Sequence, residues 1–184
     1  MRRIFAAVVL VTVVLLASTT WASQDDDRLN ALFDRLKTAD SAVDATVLTQ
    51  QIWAIWRQSE IDTINVLMAR GIQEMSRGNY EVALAAFNKV VKLEPNLAEG
   101  WNKRATVYYL IGKYEASVHD IERTLTLEPR HFGALSGLGF IYLSLGNKRE
   151  ALRAFQAALK LNPHLPGARV HAEKLRRRLR RDSI

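Results

Sequence analysis

Apolar side chains recur along this chain at three- and four-residue intervals, the spacing of one face of an α-helix. Leu135, Leu138, Tyr142 and Leu145 keep this interval and stop at Gly146, a residue free to take left-handed backbone angles at a helix end. Ala151, Leu152, Phe155, Ala158 and Leu159 form a second stretch that runs to Asn162-Pro163. Proline lacks an N–H and crowds the preceding turn, so the helix ends there. The same punctuation recurs upstream. Gly78, Gly112 and Gly146 lie 34 residues apart, as do Leu93, Leu127 and Leu161 and the pairs Glu94-Pro95, Glu128-Pro129 and Asn162-Pro163.

Self-similarity at such a period marks a stack of supersecondary units. The pattern predicts three helix pairs over 64–97, 98–131 and 132–165. Gly71, Ala105 and Gly139 allow the two helices of a pair to approach, and Phe87, Ile121 and Phe155 fill the space opposite. One pair cannot cover its own apolar face and must lean on its neighbours. The expected fold is therefore an all-α helical solenoid.

The flanks read as helical too. Asp25-Asp26-Asp27 precedes a stripe of Leu29, Leu32, Phe33 and Leu36, and its acidic side chains suit the positive end of a helix dipole. After a break at Asp40-Ser41, Leu48, Ile52, Ile55 and Trp56 share one side of a second stretch. Residues 23–63 are thus expected to form a hairpin covering the exposed face of the first pair. A degenerate fourth repeat is the alternative, since Trp53 stands 34 residues before Phe87. Residues 166–184 supply a closing helix and basic tail, with Ala168, Ala172, Leu175 and Leu179 as its apolar stripe. At the other end, Arg2-Arg3, the apolar run Ile4 to Ala17 and the small residues to Ala22 predict a secretory signal over 1–22. The expectation is an exported chain, periplasmic or secreted after cleavage, with an uncleaved N-terminal anchor as the alternative.

These residues resemble the tetratricopeptide repeat (TPR) family over 102 of the 184 residues. The third period matches best, with Leu135-x-x-Leu138-Gly139-x-x-Tyr142, Ala151-x-x-x-Phe155 and Pro163. The second keeps Trp101, Ala105, Tyr108 and Pro129 but has Arg104, Ser117 and Ile121 where Leu, Ala and an aromatic are usual. The first keeps Gly71, Ala83, Phe87 and Pro95, with Arg70 and Glu74 in place of Leu and Tyr. The chain looks most like small exported bacterial TPR proteins.

In that family the first helix of each repeat lines a concave groove that receives extended or helical peptides. The resemblance implies groove positions at Asn65, Met68, Ile72 and Met75, then Glu99, Asn102, Lys103, Thr106 and Tyr109, then Ser136, Phe140 and Leu143. Members that clamp a C-terminal carboxylate use Lys, Asn and Arg there. Here Met68, Ile72, Gly133 and Gly137 occupy such places, leaving Lys103 and Asn102. An apolar or helical partner segment is expected instead.

Charge and chemistry narrow the function further. The formal charge of +7 sits at the ends. Residues 23–168 carry 17 basic and 17 acidic side chains, so no basic stripe crosses the body and no nucleic acid is expected. Arg176, Arg177, Arg178, Arg180 and Arg181 form a cationic end helix, read as a solvated cap or as a weak contact with anionic membrane lipid. The absence of Cys excludes disulfides, thiolate nucleophiles and Cys-ligated metals. His119, His131, His164 and His171 do not fall at ligand spacing, so neither metal nor cofactor is expected, and the histidines read as surface or capping groups. Gly133, Gly137 and Gly139 fall inside a predicted helix rather than in a strand–loop–helix phosphate cradle. No catalytic constellation appears. The expected function is a non-catalytic protein-interaction adaptor of the cell envelope, with a peripheral membrane-surface element as the alternative.

Overall fold

A computed structural model describes residues 23–181. The expected signal over 1–22 lies outside the described residues, as do Asp182 to Ile184. A short 3₁₀ turn, Ser23–Asp25, leads into α1 (Arg28–Lys37) and α2 (Ala42–Trp56). Three helix pairs follow: α3 (Asp62–Ser76) with α4 (Tyr80–Leu93), α5 (Ala98–Leu110) with α6 (Tyr114–Leu127), and α7 (Phe132–Ser144) with α8 (Lys148–Leu161). α9 (Pro166–Arg181) closes the stack. Among the described residues there is no strand.

The glycine column is explained by its backbone. Gly78, Gly112 and Gly146 have φ of 81°, 77° and 77°, and among the described residues no other type adopts a positive φ. The Gly78 N–H donates to the Met75 carbonyl at 3.1 Å, and the Asn79 N–H to Glu74 at 2.9 Å. This pair of hydrogen bonds is the Schellman ending, and it satisfies carbonyls that the helix leaves without partners. Gly112–Lys113 and Gly146–Asn147 repeat it. At the other ends, Glu128 and Asn162 leave the helix in extended conformations directly before their prolines, and Glu94 leaves it with φ −133° and ψ 74° before Pro95.

Packing within each pair follows a reciprocal rule. A Cβ on Gly71 would lie 2.5 Å from the Phe87 ring, and one on Gly139 would lie 2.6 Å from Phe155. In the middle pair the small residue is Ala105 and its neighbour is the slimmer Ile121. The other departures there are matched as well. Ser117 donates its hydroxyl to the Ala105 carbonyl at 2.7 Å, and Arg104 makes a two-pronged pair with buried Asp120 at 2.7 and 2.8 Å. The middle pair is held by polar complementarity where the outer two use bulk. α9 buries Ala168, Ala172 and Leu175 against Ala151, Phe155 and Ala158.

The hairpin departs from expectation. It shares its buried core with Phe132, Leu161 and Leu165 of the third pair, and does not cap the first. Nor is Trp53 the counterpart of Phe87, because it points onto α7. The hairpin lies lengthwise across the turns between pairs. Gln24 donates to the Asn96 carbonyl at 2.7 Å, Arg130 to Asn30 at 2.8 Å, and Asn162 to Thr49 at 3.0 Å. The physical reason is aromatic: Phe33, Trp53 and Trp56 all meet Phe132 within 6.2 Å and form one ring cluster on α7. That end face keeps Val66 67% and Ile61 41% exposed. The hairpin's first helix begins at Arg28, whose N–H donates to Asp26. Ser41 caps α2 by accepting from the Asp44 N–H at 3.0 Å.

The reciprocal rule makes a measurable prediction. Gly71→Ala alone should lower stability by roughly 1–3 kcal/mol through overpacking. Adding Phe87→Ile, which copies the middle pair, should recover a large part of that loss in urea unfolding midpoints. A double variant no more stable than Gly71→Ala would refute the rule.

Candidate functional site

α5 and α7 lie side by side, and their facing side chains line an open cavity of about 340 Å³. Asn102, Lys103, Thr106 and Tyr109 come from α5, and Gly133, Ser136, Gly137 and Phe140 from α7. Trp53 of the hairpin and Leu165 close its sides. Six of the expected groove residues therefore line this one cavity: Asn102, Lys103, Thr106, Tyr109, Ser136 and Phe140. Phe140 is fixed edge-on against Phe155 and His171, each 5.1 Å away.

The remaining expected positions lie elsewhere. Met68 is 2% exposed and packs with Ile64, Phe87 and Leu97, so it belongs to the core of the first pair and not to a groove. Ile72 and Met75 lean on the same cluster. Asn65 clamps the α2–α3 link, donating to the Ser59 carbonyl at 2.8 Å and accepting from its N–H at 2.9 Å. Leu143 packs toward α8 and α9. Arg176, Arg177, Arg178, Arg180 and Arg181 are exposed on α9. Among the described residues no group of His, Asp or Glu is placed to hold a metal ion, and no helix is long and apolar enough to cross a membrane.

Beneath the cavity sits a polar cluster that sequence reading did not assemble. Glu99, an expected groove position, does not line the cavity but is fully buried, as is His131. His131 Nδ1 accepts from the Ala134 N–H at 3.0 Å, capping α7. Its proton therefore resides on Nε2, which donates to Glu99 Oε2 at 3.0 Å. Asn102 donates to the same oxygen at 2.8 Å, and Lys103 Nζ pairs with Oε1 at 3.0 Å. Burial pushes the Glu99 carboxyl upward, but the Lys103 charge and the His131 hydrogen bond outweigh it and hold the group at about 2. Trp56 stacks on the imidazole with ring centres 4.2 Å apart, and Lys103 lies 5.0 Å over the Trp53 ring. The cluster thus ties α5, α7 and the hairpin together. A signal for it existed: His131 stands in the 34-residue column otherwise occupied by Leu97 and Leu165.

The sign of its pH dependence follows. The folded-state carboxyl titrates well below the ordinary 4.5, so its contribution is complete above pH 4.5 and is lost as pH falls toward about 2. Glu99→Gln should cost roughly 3 kcal/mol at pH 7, the scale of breaking a buried pair. Its deficit against wild type should shrink between pH 4.5 and 2.5 in urea unfolding. A deficit constant across that window would remove the ionised Glu99 from this role.

Comparison with known proteins agrees with the architecture. Residues 132–165 match a family model described as tetratricopeptide repeat, and residues 71–112 match one described as TPR repeat. A TPR repeat-containing protein of Rhizobium etli is 35% identical over 150 residues, covering 82% of this chain and 74% of its own length. The small glutamine-rich tetratricopeptide repeat-containing protein 2 of Mycosarcoma maydis is 30% identical over 97 residues, 53% of this chain and 28% of that one. Among solved structures, the Sgt2 TPR domain of Aspergillus fumigatus superimposes with a TM-score of 0.60 at 19% identity, covering 65% of this chain and 80% of that one. The second TPR domain of human RPAP3, in complex with the HSP70 peptide SGPTIEEVD, gives 0.55 at 25% identity over 60% of this chain and 92% of that one. With its helix pairs, its turn geometry and these likenesses together, the chain belongs to the tetratricopeptide repeat family.

Proposed function

We propose that this protein is a non-catalytic adaptor of the cell envelope that binds a segment of a partner protein between α5 and α7. The observation that carries the reading is the open cavity walled by Thr106, Tyr109, Ser136 and Phe140. The half-buried rings of Tyr109 and Phe140 at this concavity offer a partner segment a surface on which to bury its own apolar groups. The complex of the human RPAP3 domain with a peptide supports a role of this kind. The envelope location rests on the charged start, apolar run and small-residue site of residues 1–22.

A photo-crosslinking amino acid at Thr106 or Tyr109 should capture a discrete protein in intact cells, with the adduct in the periplasmic fraction. The same group at exposed Lys92 should not. Equal capture from Lys92 sinks the groove assignment, and adducts confined to the cytosol sink the location.

The charge distribution favours a second reading. Residues 148–181 carry 11 Lys/Arg against 2 acidic side chains, whereas 23–147 carry 13 against 16. In this reading α9 attaches reversibly to an anionic leaflet at about 1 kcal/mol per well-placed cation. Replacing Arg176–Arg178 and Arg180–Arg181 with Gln should abolish salt-sensitive sedimentation with anionic vesicles. Unchanged sedimentation removes this reading.

A further inference from the structure

The hairpin itself shows what the space beside α7 accepts. Trp53 seats its indole on Gly133, where a Cβ would lie 2.5 Å from Cη2, so only a glycine admits the ring. Gly137 follows one helical turn later on the same face of α7. A Cβ there would meet only Ile121 Cδ1, at 3.5 Å, an ordinary contact. The first gap along α7 is therefore filled by an aromatic ring from this chain, and the next gap, continuous with that interface, is open. Ala105, Thr106, Tyr109, Phe140 and Leu165 surround it. Its volume of about 340 Å³ lies near the lower end of the roughly 300–1,000 Å³ that small ligands occupy.

The cavity's one cation and its one amide side chain are already committed. Lys103 is paired with Glu99 at 3.0 Å and lies over Trp53, and Asn102 donates to Glu99. A carboxylate entering here would compete with a buried anion for one cation. An apolar group meets no such competitor.

We propose that this cavity is a composite berth for one aromatic or large aliphatic side chain of a protein partner, with hairpin residue Trp53 as a wall and Gly137 as the floor. The proposal rests on the adaptor reading and specifies its partner's anchor. Because Trp53 belongs to the hairpin, the berth exists only in the folded full chain, and the hairpin helps to set specificity as well as stability.

The test uses the full chain labelled with ¹⁵N and two probes, N-acetyl-phenylalaninamide and the acidic peptide SGPTIEEVD. The phenylalanine amide should shift the Trp53 indole N–H and the Thr106 and Gly137 amides in a saturable manner. Gly137→Leu should weaken this at least tenfold, while Gly137→Ala, which fills less, should weaken it less. Circular dichroism and thermal midpoints close to wild type confirm that both variants fold. The acidic peptide should leave those signals in place. Absence of the amide-induced shifts, shifts unaltered by Gly137→Leu, or saturable binding of the acidic peptide at these signals overturns the proposal. Protein crosslinks at Thr106 that persist unchanged in Gly137→Leu also overturn it while leaving the adaptor reading intact. Amide binding without any protein crosslink supports the berth and counts against the adaptor reading alone.

Discussion

A helix pair with apolar side chains on two faces has no stable existence by itself, and that constraint shapes this molecule. Each pair buries apolar surface on its neighbour in the stack, and the last pair does so on α9. The inner contact is set by a small residue facing a large one, Gly71 with Phe87 and Gly139 with Phe155. The turns are set by glycines in left-handed conformations and by prolines that stop the second helices. Where the middle pair changes one member of a contact, the partner changes too, from Phe to Ile or from an apolar pair to Arg104 with Asp120. Stacking tolerates this exchange because volume and charge are conserved across the contact rather than at a single position.

The hairpin answers the same demand differently. It covers the turn edges of the stack and leaves Val66 and Ile61 on the end face in solvent. Its seat is aromatic above and ionic below: Trp56 stacks on His131, which hands its proton-bearing nitrogen to Glu99. A neutral imidazole serves both partners, capping α7 with one nitrogen and bonding a buried anion with the other. The carboxylate stays charged inside the protein because a cation and two hydrogen-bond donors surround it.

Much of the architecture was legible in the chain, because columns of Gly, Pro and Leu at 34-residue spacing report local geometry directly. Helix ends, small-to-large contacts and the stripe of α9 depend on residues near in sequence, and periodicity finds them. The groove was legible in part. On α5 and α7 the residues picked by the family pattern, Thr106, Tyr109 and Phe140, come together around one cavity, whereas on α3 Met68 lies in the core of the first pair. Periodicity specifies a face, not whether another element covers it. The hairpin's docking and the Glu99–His131 bond join residues far apart in sequence, and no repeat column encodes such pairings. His131 in a leucine column was the one local hint.

The hairpin also changes how such a molecule comes apart. A plain solenoid is held by nearest-neighbour contacts and can fray from either end, one unit at a time. Here Asn162 bonds Thr49 across 113 residues and Arg130 bonds Asn30 across 100. These clasps bind the last units to the first elements of the chain, so losing the terminal pair also strips the hairpin of its seat. Closing the ladder into a loop in this way couples the opening of its two ends, and such long-range contacts carry a loop-closure cost in folding.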